Sequence, residues 1–135
     1  MSSVEAGLFD TSAVIDFDDL PSEHRPGEIL ISAVTLAELS AGTHATRDPR
    51  ERGRRQRQLQ FVESTFEPLP FDAAAAREYS ALWAAAAAAG RTGLRRRALD
   101  FMIAATARAA GLPLYTRNPS DFEGLEELVE IVAVR

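Results

Sequence analysis

The stretch Gly7-Leu8-Phe9-Asp10-Thr11-Ser12-Ala13-Val14-Ile15 is the one on which the fold turns. Gly7 to Phe9 form a short apolar run that suits a buried strand. Asp10, Thr11 and Ser12 then interrupt it with residue types that cap helices, and a short helix over Ala13 to Phe17 follows. A strand that closes on an acid and passes straight into a helix opens a β–α unit, and such units in series build a parallel sheet.

The rest of the chain continues the alternation. Pro21, Pro26 and Gly27 mark a loop, Glu28 to Ile31 a second strand, and Leu36 to Ala41 a helix. Asp48 to Phe66 reads as a longer helix with Leu59, Val62 and Phe66 on one apolar face and arginines on the other. Pro68 and Pro70 bracket a third strand at a sheet edge, where proline is tolerated. Asp72 caps a helix to Ala89 whose buried stripe includes Tyr79, Leu82 and Trp83, and Gly90 stops it. Residues 91 to 97 are a basic connector, Ala98 to Ala110 a helix ended by Gly111, and Leu112 to Tyr115 a fourth strand. Pro119 to Leu125 forms a turn and Leu128 to Val134 the last strand. The reading is an α/β sandwich with a central parallel sheet of about five strands.

Composition narrows the chemistry. With 135 residues, 46% of them hydrophobic, the chain suits one domain over residues 1–135. Cysteine is absent, so there is no disulfide framework, thiolate metal site or thiol nucleophile, which favours the cytoplasm. All 15 basic residues are arginine. The lack of lysine excludes Walker-A loops and Schiff-base enzymes. Met1 to Asp10 has neither the basic start nor the apolar run of a secretory leader, and no window suits a membrane span. The net charge of −5 argues against a general nucleic-acid coat protein. Its distribution is uneven, with arginines crowding residues 47 to 57 and 91 to 97. Each cluster reads either as a solvated face or as a set of phosphate contacts.

Ligands of open parallel sheets bind beyond the carboxyl ends of the strands, where strand order reverses. Asp10-Thr11-Ser12 follow the first strand, Ser32 ends the second with Glu38 beyond it, and Thr116-Arg117-Asn118 and Asp121 follow the fourth. Asp100 opens the helix that leads into that fourth strand. Taken singly, each has a structural explanation: Asp10 as a cap, Thr35 and Glu38 as a capping box, Asp100 beside its own helix dipole, Asp121 in a turn. Together, carboxylates gathered in one cleft repel each other and raise each other's pKa unless a cation is present. A hard divalent ion, Mg²⁺ or Mn²⁺, is the economical partner.

Four stretches, Leu8-Phe9-Asp10-Thr11-Ser12-Ala13, Ile31-Ser32-Ala33-Val34-Thr35-Leu36-Ala37-Glu38-Leu39, Asp100-Phe101-Met102-Ile103-Ala104-Ala105, and Tyr115-Thr116-Arg117-Asn118 with Asp121-Phe122, resemble in content and order the PIN-domain ribonucleases, in particular the VapC-type toxins of bacterial toxin–antitoxin pairs. The resemblance covers essentially the whole chain. It implies a three-layer sandwich, Asp10 and Asp100 as principal metal ligands, and Glu38 as a third acid acting through water. Thr11, Ser12 and Thr116 match the small hydroxyl residues that line such sites. The fourth acidic position falls on Asn118 here, an amide that can ligate Mg²⁺ but brings no charge, which leaves Asp121 to supply it or the metal more weakly held.

The activity implied is Mg²⁺-dependent hydrolysis of RNA, leaving a 3′-hydroxyl and a 5′-phosphate, in a homodimer neutralised by a VapB-type antitoxin. His24 and His44 lie outside the motifs, which disfavours a histidine-pair mechanism. Arg95, Arg96 and Arg97 are the expected RNA contacts. A catalytically weak protein-binding module is the alternative, motivated by Asn118 and the acidic net charge. A phosphatase on a doubly wound sheet would want an aspartate where Ser12 stands, and a lysine.

Overall fold

A computed structural model describes residues 5–134; residues 1–4, part of the segment read for a leader, and residue 135 lie outside the described residues. Five parallel strands form one sheet in the order β3-β2-β1-β4-β5: β1 Ala6–Phe9, β2 Glu28–Ser32, β3 Glu67–Leu69, β4 Leu114–Thr116 and β5 Ile131–Ala133. The helices are α1 Thr11–Ile15, α2 Ala33–Gly42, α3 Pro49–Thr65, α4 Ala73–Ala88 and α5 Ala98–Ala110. Strand order reverses between β1 and β4, so β1 is the centre of the sheet and the end of β1 is the switch point.

The central strands β1 and β4 are buried on both faces, the edge strands β3 and β5 only in part, and the alternation along the central pair sorts the two cores. Leu8 pairs in register with Leu114, and both enter the core under α4 and α5, with Leu82, Phe101, Ile103, Phe122 and Leu125. Phe9 pairs with Tyr115, ring centroids 5.4 Å apart, in the opposite core with Val14, Ile31, Leu39, Val62 and Phe66. The chain is therefore a three-layer α/β sandwich. Gly7 lets β1 pass the Tyr115 ring, since a Cβ there would lie 2.3 Å from Cε1. Gly111, at φ 69°, ends α5 in the left-handed conformation. Among the described residues no helix is long and apolar enough to cross a membrane.

Several boundaries differ from those read in the sequence. The helix α2 begins at Ala33, not Leu36, because Ser32 is its cap and accepts a hydrogen bond from the Val34 amide at 3.0 Å. Thr35 and Glu38 are thus inside the helix and form no capping box; one helical turn apart, they share the face toward α1. Thr11 and Ser12, not only Ala13 onward, are helical, since Asp10 caps α1. The strand β4 lies later than Leu112 to Tyr115, and β5 keeps only three residues of Leu128 to Val134. The edge position of β3 and the Asp72 cap stand as read, but β3 starts at Glu67 and contains Pro68, and of the stripe on α4 only Leu82 is fully buried, Tyr79 and Trp83 being half-buried. The basic connector holds a 3-10 turn, Leu94–Arg97, directly before α5.

Candidate active site

Asp10 follows the last residue of β1 and is 4% exposed. Its Oδ1 accepts from the Ala13 amide at 2.9 Å and the Ser12 hydroxyl at 2.7 Å, and its Oδ2 from the Thr116 hydroxyl at 2.6 Å. The cap and the site residue are the same side chain. Ser12 and Thr116 also accept, from the amides of Arg117 at 3.1 Å and Asn118 at 3.0 Å. These bonds lock the end of β4 onto the end of β1. Burial raises the Asp10 pKa most, against the pull of its three hydrogen bonds, and the nearby Asp121 adds to the rise.

Glu38, on α2, is oriented by a second relay. Thr11 donates its hydroxyl proton to Glu38 Oε1 at 2.7 Å. That proton is the only one Thr11 has, so the Thr11 to Thr35 contact of 3.0 Å must have Thr35 as donor. Thr35 is fully buried, and in place of the capping role its sequence suggests it supports Thr11 from within α2. Its signal was its spacing of one turn from Glu38.

Asp100, in the first turn of α5, has its carboxyl pKa pushed up to about 6, first by burial and then by the charges of Asp121 and Glu38. Asp121 lies in the 3-10 turn Pro119–Phe122 that follows β4. It is close enough to raise the pKa of both Asp10 and Asp100. Asn118, by contrast, is exposed, and among the described residues its side chain has no hydrogen-bond partner. Between these two residues, it is Asp121 that brings charge to the other acids.

Arg97 stands where the sequence reading put an RNA contact, yet it faces inward. Its Nη1 lies 3.0 Å from Asp121 Oδ1 and 3.4 Å from Asp100 Oδ2. Arg91 ties the same turn down from the other side, donating to the carbonyls of Asp121 at 3.1 Å and Glu123 at 2.8 Å. Arg95 and Arg96 are exposed and have no ion pair among the described residues. In the other cluster, Arg54 and Arg55 pair with Glu51, and Arg52 donates to the Thr46 carbonyl.

The donors gathered here are carboxylate and hydroxyl oxygens, the set that suits a small hard cation. The pKa values of Asp10 and Asp100 are raised first by burial and further by the neighbouring acids. As they stand, no three of these groups among the described residues come together tightly enough to hold an ion. Arg97 lies between two of them.

A parallel sheet in this order, with Asp10 at the switch point and Glu38, Asp100 and Asp121 around it, defines a class. Residues 8–127 match the PIN domain family, and the chain belongs to it. Within that family it is of the VapC toxin type. A solved member of the VapBC toxin–antitoxin family from Mycobacterium tuberculosis, VapBC-5, shares 36% identity over 96% of this chain and 98% of its own, with a TM-score of 0.84. DNA-bound VapBC from Salmonella typhimurium shares 26% identity over 97% of this chain and 98% of its own, at a TM-score of 0.70. FitAcB from Neisseria gonorrhoeae shares 26% over 93% and 95%, also at 0.70. No curated protein matches the sequence.

Proposed function

We propose that the protein is a Mg²⁺-dependent endoribonuclease toxin, held off by a VapB-type antitoxin in the cytoplasm. The observation that carries the reading is the convergence of Asp10, Glu38, Asp100 and Asp121, from four separate elements, at the switch point of the sheet. Helix capping explains one of them; nothing in the stability of the fold calls for the other three to be neighbours.

Asp10 and Asp100 would hold the ion, with Asp121 the further acid and Glu38 acting through water. What Mg²⁺ supplies when bound is acidification of a water and neutralisation of charge building on the phosphate. Asp10 contributes a carboxylate fixed by three donors, so its position is set before any ligand arrives. Glu38, aimed by Thr11 and Thr35, is placed to orient a water or accept its proton. Arg95 and Arg96, exposed beside the cleft and without an ion pair among the described residues, would hold the RNA backbone. With Asp121 beside the other acids, Asn118 takes no charge from the site, which favours catalysis over a protein-binding module.

For the antitoxin, a cleft of about 320 Å³ between α1, α2 and α3 is lined by Ile15, Leu39 and Gln58 and reaches Thr11 and Glu38 at the site. Exposed Ile15 and Phe61 extend its apolar floor. The solved relatives are toxin–antitoxin complexes, and an amphipathic segment is the partner such a groove suits.

The test is incubation of purified, antitoxin-free protein with total RNA in Mg²⁺, Mn²⁺ or EDTA, with the ends mapped. Internal cuts bearing 5′-phosphates in either metal and none in EDTA are expected. Metal-independent cuts, or none with folded protein, would refute the proposal.

A further inference from the structure

Resting on that reading of the acids, we propose that Arg97 is a built-in occupant of the cleft that competes with the divalent cation for Asp100 and Asp121, so that loading the metal requires its release. A single guanidinium nitrogen reaches two carboxylates from different parts of the chain, Asp100 on α5 and Asp121 on the turn after β4. Those carboxylates would otherwise face each other uncompensated, and arginine stays charged at every relevant pH. It is therefore always available as the alternative cation.

Three features make the contact exchangeable rather than structural. The side chain of Arg97 is 42% exposed, so it has a route to solvent. Among the described residues its hydrogen bonds and ion pairs go to these two acids alone, and the one to Asp100 is long at 3.4 Å. The turn that carries Asp121 does not depend on it, since Arg91 holds that turn through backbone carbonyls. Position is assigned to one arginine and charge to the other. By linkage, whatever Arg97 contributes to the metal-free site must be given up when the ion binds, and metal affinity falls by the same factor.

The experiment is Mn²⁺ binding to the antitoxin-free full chain, by calorimetry or by counting free ion with electron paramagnetic resonance. Arg97→Gln should bind Mn²⁺ about tenfold more tightly than wild type, equivalent to ~1.4 kcal/mol. Arg97→Lys, which keeps the charge, should stay within about threefold, a difference near 0.6 kcal/mol. In EDTA Arg97→Gln should melt below wild type, and in saturating Mn²⁺ that order should narrow or invert. A loss of structural support does not produce a gain in affinity. Equal or weaker Mn²⁺ binding by folded Arg97→Gln overturns the competition and leaves the metal reading standing. Failure of wild type and variant alike to bind Mn²⁺ overturns both. Should Arg97→Gln not fold, the wild type still decides the matter. The guanidinium ¹⁵N signals of Arg97, assigned by their loss in Arg97→Lys, should shift with Mg²⁺ along the same curve that calorimetry gives, and signals that do not move would refute release.

Discussion

Asp100→Asn should make the metal-free protein more stable at neutral pH, and the gain should disappear in acid. Asp100 has its carboxyl pKa raised from 3.8 to about 6, mainly by burial and by Asp121. The folded state then holds a proton that the unfolded chain has released, so folding loses stability as pH rises from about 4 through about 6. Two pKa units are worth about 3 kcal/mol as a ceiling. The side chain is 28% exposed, and solvent screening reduces the cost to about 1–2 kcal/mol. For a domain of this size that corresponds to a rise of roughly 3–8 °C in the melting temperature. The assay is calorimetry in EDTA between pH 4 and 8, taking the difference between variant and wild type. The difference cancels Asp10, whose pKa is also raised, and Glu51, whose pKa is lowered to about 2 by its hydrogen bonds to Arg54 and Arg55. It should be near zero at pH 4 and reach its plateau above pH 6.5. Saturating Mg²⁺ should reverse the ranking, since only wild type keeps the ligand. A variant less stable than wild type at pH 7.5 in EDTA, or a gain independent of pH, would show that Asp100 carries no electrostatic cost.

Asp10→Asn should abolish cleavage yet change metal-free stability by less than about 1 kcal/mol, because relief of the buried charge is offset by a weaker cap and a reversed bond to Thr116; denaturant melts and RNA gels check it. Asp121→Asn should weaken Mn²⁺ binding about tenfold while Asn118→Asp changes it by less than threefold, the opposite ranking from a first shell built on Asn118, read by calorimetry. Replacing Arg95 and Arg96 together by Gln should make the salt dependence of RNA binding shallower by roughly 0.7 per lost contact on a log–log plot. An unchanged slope would make those arginines a solvated face.

What was legible in the sequence was what short-range pattern controls. Strand ends are punctuated by capping residues, so Asp10, Ser32 and Asp72 announce where helices begin, and the alternation of elements gives the sheet. At the second helix the signal is double, because Ser32 and Thr35 are both good caps and nothing local chooses between them. The choice falls to Thr11, which takes Thr35 into its own hydrogen bond across 24 positions. Asn118 and Asp121 posed the same difficulty: both follow β4, and only the turn opened by Pro119, held by Arg91, decides which faces the other acids. Arg97 was half visible. Its spacing of three from Asp100 is that of a helical ion pair, but the shorter contact, to Asp121, is made by the fold.

The four acids are held in two different ways, and the difference bears on how the site is controlled. Asp10 and Glu38 are fixed by neutral donors: an amide and two hydroxyls for the one, the Thr11 and Thr35 relay for the other. Neutral donors orient a carboxylate without bringing a compensating charge, so that half of the site has its geometry set by hydrogen bonds and has no ion pair among the described residues. Asp100 and Asp121 are held by a cation on a flexible stem, and a cation is replaceable by another cation. On the proposed reading two cations are in contention for these carboxylates, the metal and Arg97. Each excludes the other, so each weakens the other by the same factor. A protein with lysine at 97 would keep the charge, and because one nitrogen of Arg97 makes both contacts it would lose no forked pairing with the acids. The contest is therefore set at the exchangeable half of the site, while the hydrogen-bonded half keeps the geometry that whichever cation wins must fit.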